Sequence, residues 1–230
     1  MKSQGIAVFE LNNIEILYKA QFETPILDIA LPQIQVDLLK LIFNEFNLKF
    51  KDIVINNQSI STNLLYFKKY YSSSISFFEA LLGVDEIQTN YSNPEDSIRA
   101  WQPTLALLDI INKVTKISFA NQWLNVNIHC RPEIIKYNSF IDNINKFKIE
   151  NELVMTKGAT FSIKQPPWDS GFINITFDQS IIIPDGLFIF IQAYFGNNIQ
   201  QYKNLFSDIL KFLHEFIEPN FKIYIKYVGR

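Results

Sequence analysis

Acid–base chemistry near neutral pH usually depends on histidine, and the sequence contains two, His129 and His214. His129 precedes Cys130 in an alternating segment. The two side chains should therefore point to opposite faces of a strand, where they cannot form a thiolate–imidazole pair. His214 lies beside the apolar stripe of a predicted helix, a position typical of a boundary histidine. We expect structural roles for both histidines, and the sequence predicts no catalytic residue.

The acidic residues form no recognisable metal-binding motif. Asp85-Glu86 and Glu95-Asp96 flank a predicted polar loop and are the best candidates, because carboxylates together with waters can hold Mg²⁺. Solvated loop charge, with acidic residues favourably placed next to a helix N-terminus, is the explanation we prefer for these residues. The chain has no P-loop and no Gly-rich dinucleotide turn, and it contains 7 glycines. We therefore predict no metal and no cofactor, and we favour a protein that is not an enzyme.

Segment 164–171 is the most distinctive predicted loop. Pro166 and Pro167 stiffen it and hold Trp168, followed by Asp169, near its apex. An exposed and rigidly placed tryptophan is a frequent anchor of protein interfaces. Trp168 and Asp169 are therefore predicted partner-binding residues, the alternative being that Trp168 folds back and covers the core.

A second candidate surface combines aromatic and basic side chains, namely Tyr66, Tyr70 and Tyr71 with Lys68 and Lys69. Aromatic rings interleaved with lysines can stack single-stranded bases. On a strand, the same alternation usually gives one buried face and one face whose long side chains reach solvent. We predict Tyr66, Tyr70 and Tyr71 as further partner-binding residues.

Hydrophobic periodicity predicts the helices and strands that position these residues. It predicts a hairpin over 5–23 with its turn at Asn12-Asn13, and a helix over 33–46 with Pro32 in its first turn. A second helix begins at Pro94 or, because Pro103 interrupts it, near Gln102. Further helices are predicted over 133–147 and 200–217, and strands over 48–55, 62–71, 75–82, 123–130, 152–163, 172–179, 187–195 and 221–227. The predicted helical core residues are Trp101, Leu105, Leu108, Phe206, Ile209 and Leu213.

Two segments, 77–83 and 190–196, share phenylalanine, alanine and glycine at matching positions, with Ala80 matching Ala193 and Gly83 matching Gly196. Such a match predicts a tandem duplication. The expected fold is α+β, with two internally duplicated α/β units, residues 1–118 and 119–230, whose helices cover one face of antiparallel or mixed sheets. One continuous sheet shared by both halves is the alternative.

Composition narrows the functional classes. The chain of 230 residues is 48% hydrophobic, carries a net charge of −2 and has three arginines, Arg99, Arg131 and Arg230. Scarce arginine and a slightly negative charge argue against nucleic-acid binding. One cysteine, the lack of an N-terminal signal segment and apolar runs too short to span a bilayer predict a cytoplasmic protein without a membrane segment.

These observations favour a non-enzymatic protein that binds another protein, such as a bacterial immunity protein, an antitoxin or an accessory subunit of a multiprotein system. One alternative is a tandem ferredoxin-like module of a defence system that binds RNA or DNA. The other is a small-molecule sensor with a pocket between the halves, where ligand sites are common. The sequence leaves the identity of the partner and the oligomeric state open.

Overall fold

The computed structural model describes residues 6–55, 64–95, 100–144, 158–163, 172–197 and 213–226. These residues form an α+β structure with ten strands, which are β1 Ala7–Phe22, β2 Ile53–Ile55, β3 Leu65–Tyr70, β4 Phe77–Leu82, β5 Glu86–Ser92, β6 Phe119–Pro132, β7 Ala159–Ile163, β8 Phe172–Gln179, β9 Leu187–Tyr194 and β10 Ile223–Lys226. They make one open, mostly antiparallel sheet in the order β2-β3-β4-β5-β1-β6-β9-β8-β7, and β10 pairs in parallel with the start of β1.

The described α-helices are α1 Pro32–Phe46, α2 Gln102–Val114, α3 Tyr137–Ile144 and α4 Glu218–Phe221, the last preceded by one π-helical segment, Leu213–Ile217. Helix α1 matches the predicted helix and has Pro32 in its first turn. Helix α2 begins at Gln102, the later of its two predicted starts. Most of the helix predicted over 200–217 lies outside the described residues. Among the helices that are described, none is long and apolar enough to cross a membrane.

Strand β1 corrects the predicted N-terminal hairpin. Instead of turning at Asn12-Asn13, the chain continues as one strand of 16 residues. The register with β6 shifts between Leu11 and Asn13, so Asn12 is the extra residue of a β-bulge. Because one extra residue reverses the alternation, Phe9 before the bulge and Ile14 after it are both buried. In the sequence, the apolar residues therefore shift from odd to even positions at Asn12, a pattern that resembles two short strands joined by a turn.

Helices α1, α2 and α3 cover the same face of the sheet. Phe46 of α1 contacts Phe67 and Phe78, with ring centroids 5.0 and 5.5 Å apart. The hydroxyl groups of Thr104 in α2 and Thr89 in β5 are 2.8 Å apart. Burial of the alternating strand residues under these helices forms the hydrophobic core. In the second half of the chain, Phe140 of α3 packs edge-on against Phe9 and Phe177, at 5.6 Å from each.

One buried polar contact joins the two long central strands inside this core. The Tyr18 hydroxyl donates to Gln122 Oε1 at 2.8 Å, and Gln122 is completely buried. An unpaired amide at this depth would cost about 1–3 kcal/mol. The pair therefore favours the register that brings Tyr18 and Gln122 together.

The tandem duplication is not confirmed. Both matched segments are strands, but Ala80 lies on β4, between β3 and β5, whereas Ala193 lies on β9, which pairs directly with the long strand β6. The two alanines therefore occupy different places in the sheet. Each half does contain a long strand, a helix and a three-strand meander whose last strand pairs with the long one, but β5 rather than β4 holds the place of β9. The predicted division at residue 118 stays a prediction, and both halves share one sheet.

Strand β5 corrects a second expectation, because the sequence predicted a polar loop where Glu86–Ser92 forms a strand. Its inward residues are Ile87, Thr89 and Tyr91, and its outward residues are mainly amides and carboxylates. Because these outward residues have a low β-propensity, the alternation of buried and exposed positions was not recognised as a strand. Pairing with β1 on one side and β4 on the other overrides that propensity.

Large-to-small substitution tests the core. Leu108 is fully buried, while Asp109 on the same helix is exposed. We expect Leu108→Ala to lower the free energy of unfolding by about 2–5 kcal/mol, because it removes buried methyl groups and leaves a cavity. Denaturant titration measures this loss. Asp109→Ala is the control on the same helix and should stay within about 0.5 kcal/mol; equal effects of the two variants would contradict the assigned core.

The remaining predicted core residues divide into three groups. Leu213 is buried as expected, and Trp101 and Leu105 are only partly buried but pack against the core. Phe206 and Ile209 lie outside the described residues.

The turn between β8 and β9 contains a glycine that has no room for a side chain. A Cβ atom on Gly186 would lie 2.7 Å from Ile183 Cβ and 2.9 Å from the carbonyl oxygen of Cys130. We expect Gly186→Ala to destabilise the protein by about 1–3 kcal/mol, the usual cost of overpacking. Thermal and denaturant unfolding measure it. Ile181→Ala, at a residue of the same turn that is 94% exposed, should have little effect; tolerance of Gly186→Ala would contradict the tight turn.

Candidate functional site

The candidate site is the sheet face opposite helices α1, α2 and α3, which we call the open face. Its side chains alternate with the buried residues and are mostly half-buried. Strand register places Leu17 of β1 between Asn90 of β5 and Asn125 of β6. The same row continues through Gln192 on β9 and Asn174 on β8. A line of amide side chains therefore crosses the middle of the open face.

Aromatic side chains flank these amides. On one side, the rings of Tyr70 and Phe77 are 6.0 Å apart, and Lys68 Nζ lies 3.5 Å from the centroid of Phe77. On the other side, Tyr194 contacts both Trp123, at 5.8 Å, and Phe172, at 5.5 Å. Partly exposed aromatic rings next to amides supply large contact areas and fixed hydrogen-bonding groups together.

The lysines near the middle of the open face are neutralised locally. Lys19 Nζ lies 2.7 Å from Glu86, and Lys68 Nζ lies 3.4 Å from Glu79. Burial alone would raise the pKa of Glu86, but hydrogen bonds from Lys19 and Gln88 outweigh it and lower that pKa. The carboxylate therefore stays charged and keeps its lysine paired. Lys19 and Lys68 therefore contribute no unmatched positive charge to the open face.

Glu79 orients three neighbouring side chains. Its Oε2 accepts a hydrogen bond from the Tyr66 hydroxyl at 2.9 Å, and its Oε1 accepts one from Asn90 Nδ2 at 3.1 Å. Lys68 provides the counter-charge. Burial, and then the hydrogen bond to Glu79, raise the pKa of Tyr66 to about 12. Tyr66 is therefore a neutral hydrogen-bond donor at physiological pH.

A pocket of about 370 Å³ opens at the middle of the open face, and we call it the central pocket. It lies where the halves of the chain meet, with lining residues from β1, β3, β4, β5 and β6. Two side-chain carbonyl oxygens, Asn90 Oδ1 and Asn125 Oδ1, are buried at this place without a hydrogen-bond partner among the described residues. The pocket residues include Leu17, Tyr66, Leu81, Asn90, Trp123 and Asn125.

The three tyrosines predicted to bind a partner do not lie on the same face of the sheet. Tyr66 and Tyr70 lie on the open face, and Tyr70 is 52% exposed. Tyr71 packs toward the helices, with its ring 5.3 Å from that of the core residue Tyr91, and burial raises its pKa. Trp168 and Asp169 lie outside the described residues. Their roles as partner-binding residues stay predictions, as does that of Tyr71.

Sequence reasoning did not select Trp123, Asn125 or Tyr194 as candidates for the site. A signal was present, because residues 123–130 alternate between apolar side chains and the series Trp123, Asn125, Asn127 and His129. That alternation places an aromatic ring, two amides and an imidazole on one face. It indicates that this face is not part of the hydrophobic core.

His129 and Cys130 point to opposite faces, as predicted. Cys130 is completely buried, and burial raises the pKa of its thiol to about 12. His129 Nδ1 lies 2.9 Å from Ser180 Oγ, and its ring stacks on Phe188 at 4.6 Å. Ser180 Oγ also accepts backbone N–H groups from Ile182 and Ile183. The two backbone N–H groups make the Ser180 side chain part of the turn after β8, and the donor in its contact with His129 depends on the imidazole tautomer.

Two other predicted chemical groups, His214 and Glu95, have local partners, whereas Asp85 Oδ1 is buried without a hydrogen-bond partner among the described residues. His214 lies 3.3 Å from Glu218 on the neighbouring helical turn. Hydrogen bonds from the side chain and then from the backbone N–H of Ser72 lower the pKa of the Glu95 carboxyl group. Asp96 lies outside the described residues. In the described ranges, no group of three or more His, Cys, Asp or Glu side chains is placed to hold a metal ion.

We found no match between this chain and known protein-family models or curated proteins. The function proposed below is therefore inferred from the residues and geometry of the open face.

The environment of His129 predicts a dependence of stability on pH. Burial disfavours the imidazolium and lowers the pKa of His129 below its ordinary value of 6.5. The unfolded chain then binds a proton more readily than the folded one, so stability should fall as pH decreases through about 6.5. We expect His129→Gln in a His214→Gln background to reduce the difference in unfolding free energy between about pH 7.5 and about pH 5.5.

Urea titrations at both pH values, compared with the single variant His214→Gln, measure this difference. An identical pH dependence in the single and double variants would contradict the effect of burial on His129. Glutamine keeps a side-chain acceptor for the Ser180 hydroxyl, so loss of that hydrogen bond does not confuse the comparison.

Proposed function

We propose that the protein is a non-enzymatic binding module that recognises another protein through its open face. The observation that carries this proposal is the combination, on one sheet face, of half-buried aromatic rings, amide side chains and internally paired charges. Trp123, Tyr194 and Phe172 are the central aromatic group. Tryptophan and tyrosine are enriched among the residues that contribute most to protein–protein binding.

The size of the open face supports a protein partner. Eight strands lie side by side from β3 to β7. At a spacing of about 4.8 Å they span roughly 34 Å, and strands of six to eight residues run for about 20 Å or more. The resulting area is roughly 700 Å², close to the ~800 Å² that each partner contributes to a standard interface.

The chemistry of the open face favours polypeptide over nucleic acid. A phosphate backbone is attracted by unpaired lysines and arginines, whereas Lys19 and Lys68 are paired with Glu86 and Glu79. Amide side chains such as Gln192 and Asn174 each carry a donor and an acceptor, which complements peptide groups. An immunity protein, an antitoxin or an accessory subunit would use such a surface. Retention on heparin that weakens with salt would favour the nucleic-acid alternative instead.

Site-specific photo-cross-linking tests the proposal. A benzoylphenylalanine in place of Tyr194 reports on the open face, and one in place of Val36, which is 44% exposed on helix α1, reports on the opposite side. Cross-linking in cells, followed by mass spectrometry, identifies the partner. We expect a specific protein adduct from position 194 and none from position 36.

Affinity for the identified partner then tests the aromatic group. We expect Trp123→Ala to weaken binding by about 2 kcal/mol or more, the loss typical of an interface hot spot. Calorimetric titration of the purified proteins measures it, with Val36→Ala as the control. Adducts only from position 36, or unchanged affinity of Trp123→Ala with an intact fold, would contradict recognition through the open face.

A further inference from the structure

A group of exposed isoleucines lies at one end of the sheet, where the turn after β6 meets the turn between β8 and β9. Ile134 belongs to the first turn and is 70% exposed, and Ile181 and Ile182 of the second are 94% and 55% exposed. The backbone N–H of Tyr137 donates to the carbonyl oxygen of Asp185 and holds the two turns together. Exposed apolar side chains that stand singly are ordinary, whereas several grouped together indicate an interaction surface.

A recess of about 470 Å³, which we call the end recess, opens between the two turns. Ile134 and Ile182 form part of its apolar wall, together with Pro132 and Pro184. Ile181 directly precedes Ile182 and projects almost completely into solvent. A projecting apolar side chain therefore lies next to an apolar recess on the same surface.

The turn that carries Ile181 is held in one conformation. The Ser180 hydroxyl oxygen accepts the backbone N–H groups of Ile182 and Ile183, at 3.3 and 3.0 Å. The backbone N–H of Ser180 donates to the carbonyl oxygen of Gly186 at 2.9 Å, and Ile183 is buried. A side chain on a fixed turn loses little conformational entropy when it is covered. Docking of Ile181 therefore requires little ordering of the backbone.

The charges around the end recess indicate which partner fits it. Its lining contains two basic residues, Arg131 and Lys136, and two acidic ones, Glu133 and Asp185. Lys136 Nζ lies 2.8 Å from Asp185, so opposite signs stand side by side at the rim. A partner of a single charge would meet repulsion as well as attraction there. A rim that carries both signs in balance complements an identical rim across a two-fold axis.

We propose that the end recess is the contact surface of a symmetric homodimer, in which Ile181 of each copy enters the recess of the other. A two-fold dimer buries the same patch on both copies, so each chain contributes one projecting side chain and one recess. The contact has an apolar centre and a charged rim, the usual anatomy of a protein interface. Formation of this dimer requires no other protein, so it can fail or succeed separately from recognition through the open face.

The size of the patch predicts a weak dimer. The end recess is lined by 11 residues, whereas each side of a standard interface contributes about 20–30. We therefore expect a reversible dimer that dissociates on dilution.

Sedimentation equilibrium of the purified protein, over roughly 5 to 500 μM, tests the proposal. We expect a monomer–dimer equilibrium in which Ile181→Asp and Ile134→Asp each raise the dissociation constant at least about 10-fold, because each buries a carboxylate in an apolar contact. Phe50→Asp is the matched control and should leave the equilibrium unchanged, since Phe50 is 89% exposed beside the edge strand β2. Thermal unfolding of the dilute variants verifies that each is folded.

A protein that stays monomeric at every concentration would overturn the proposal. A dimer that neither Ile181→Asp nor Ile134→Asp weakens would also overturn it, because the copies would then meet at another surface. A benzoylphenylalanine in place of Ile181 gives a second measurement that does not depend on added charge. We expect irradiation of the purified protein to give a covalent dimer whose adduct maps to segment 131–136 or 182–185 of the other copy. Adducts in cells with a different protein alone would overturn the proposal in favour of a foreign partner at this patch.

Discussion

The antiparallel pairing of β1 with β6 is the constraint on which the rest of the structure depends. These two strands hold the centre of the sheet, and the other strands extend outward from them on both sides. Because a slip of one residue would exchange the two faces of a strand, the buried hydrogen bond between Tyr18 and Gln122 helps to hold this register. The bulge at Asn12 lets both ends of β1 keep apolar residues under the helices.

The same pairing creates the open face. When Leu124 and Val126 point into the core, Trp123, Asn125 and Asn127 must point the other way. Amides, ion pairs and partly exposed rings suit a surface that contacts water and a binding partner better than they suit a core. Glu79 then converts an array of separate side chains into an ordered site by holding Tyr66 and Asn90 at defined positions. Partner recognition is the proposed use of this surface.

Sequence periodicity predicted much of the fold, including α1 and the strands β6, β8 and β9, because their burial repeats at regular spacing. It failed at Asn12, where one extra residue reverses the alternation, and at β5, whose outward amides resemble a loop. The predicted site included Tyr66 and Tyr70 of the open face but not Trp123 or Asn125. Trp123 and Asn125 lie beside residues of β1 only because β6 pairs with β1. The two strands are more than fifty residues apart in sequence, and local patterns do not encode such a pairing.

Side-chain footprinting of the isolated protein tests the central claim that the open face is accessible while its alternating neighbours are buried. Brief exposure to hydroxyl radicals, followed by mass spectrometry, measures oxidation of each aromatic residue. The account predicts much faster oxidation of Tyr70, Phe172 and Tyr194, which lie on the open face, than of Phe67 and Phe177, which are fully buried under the helices. Equal protection of the two sets would contradict an open face and, with it, the proposed recognition of a partner through this surface.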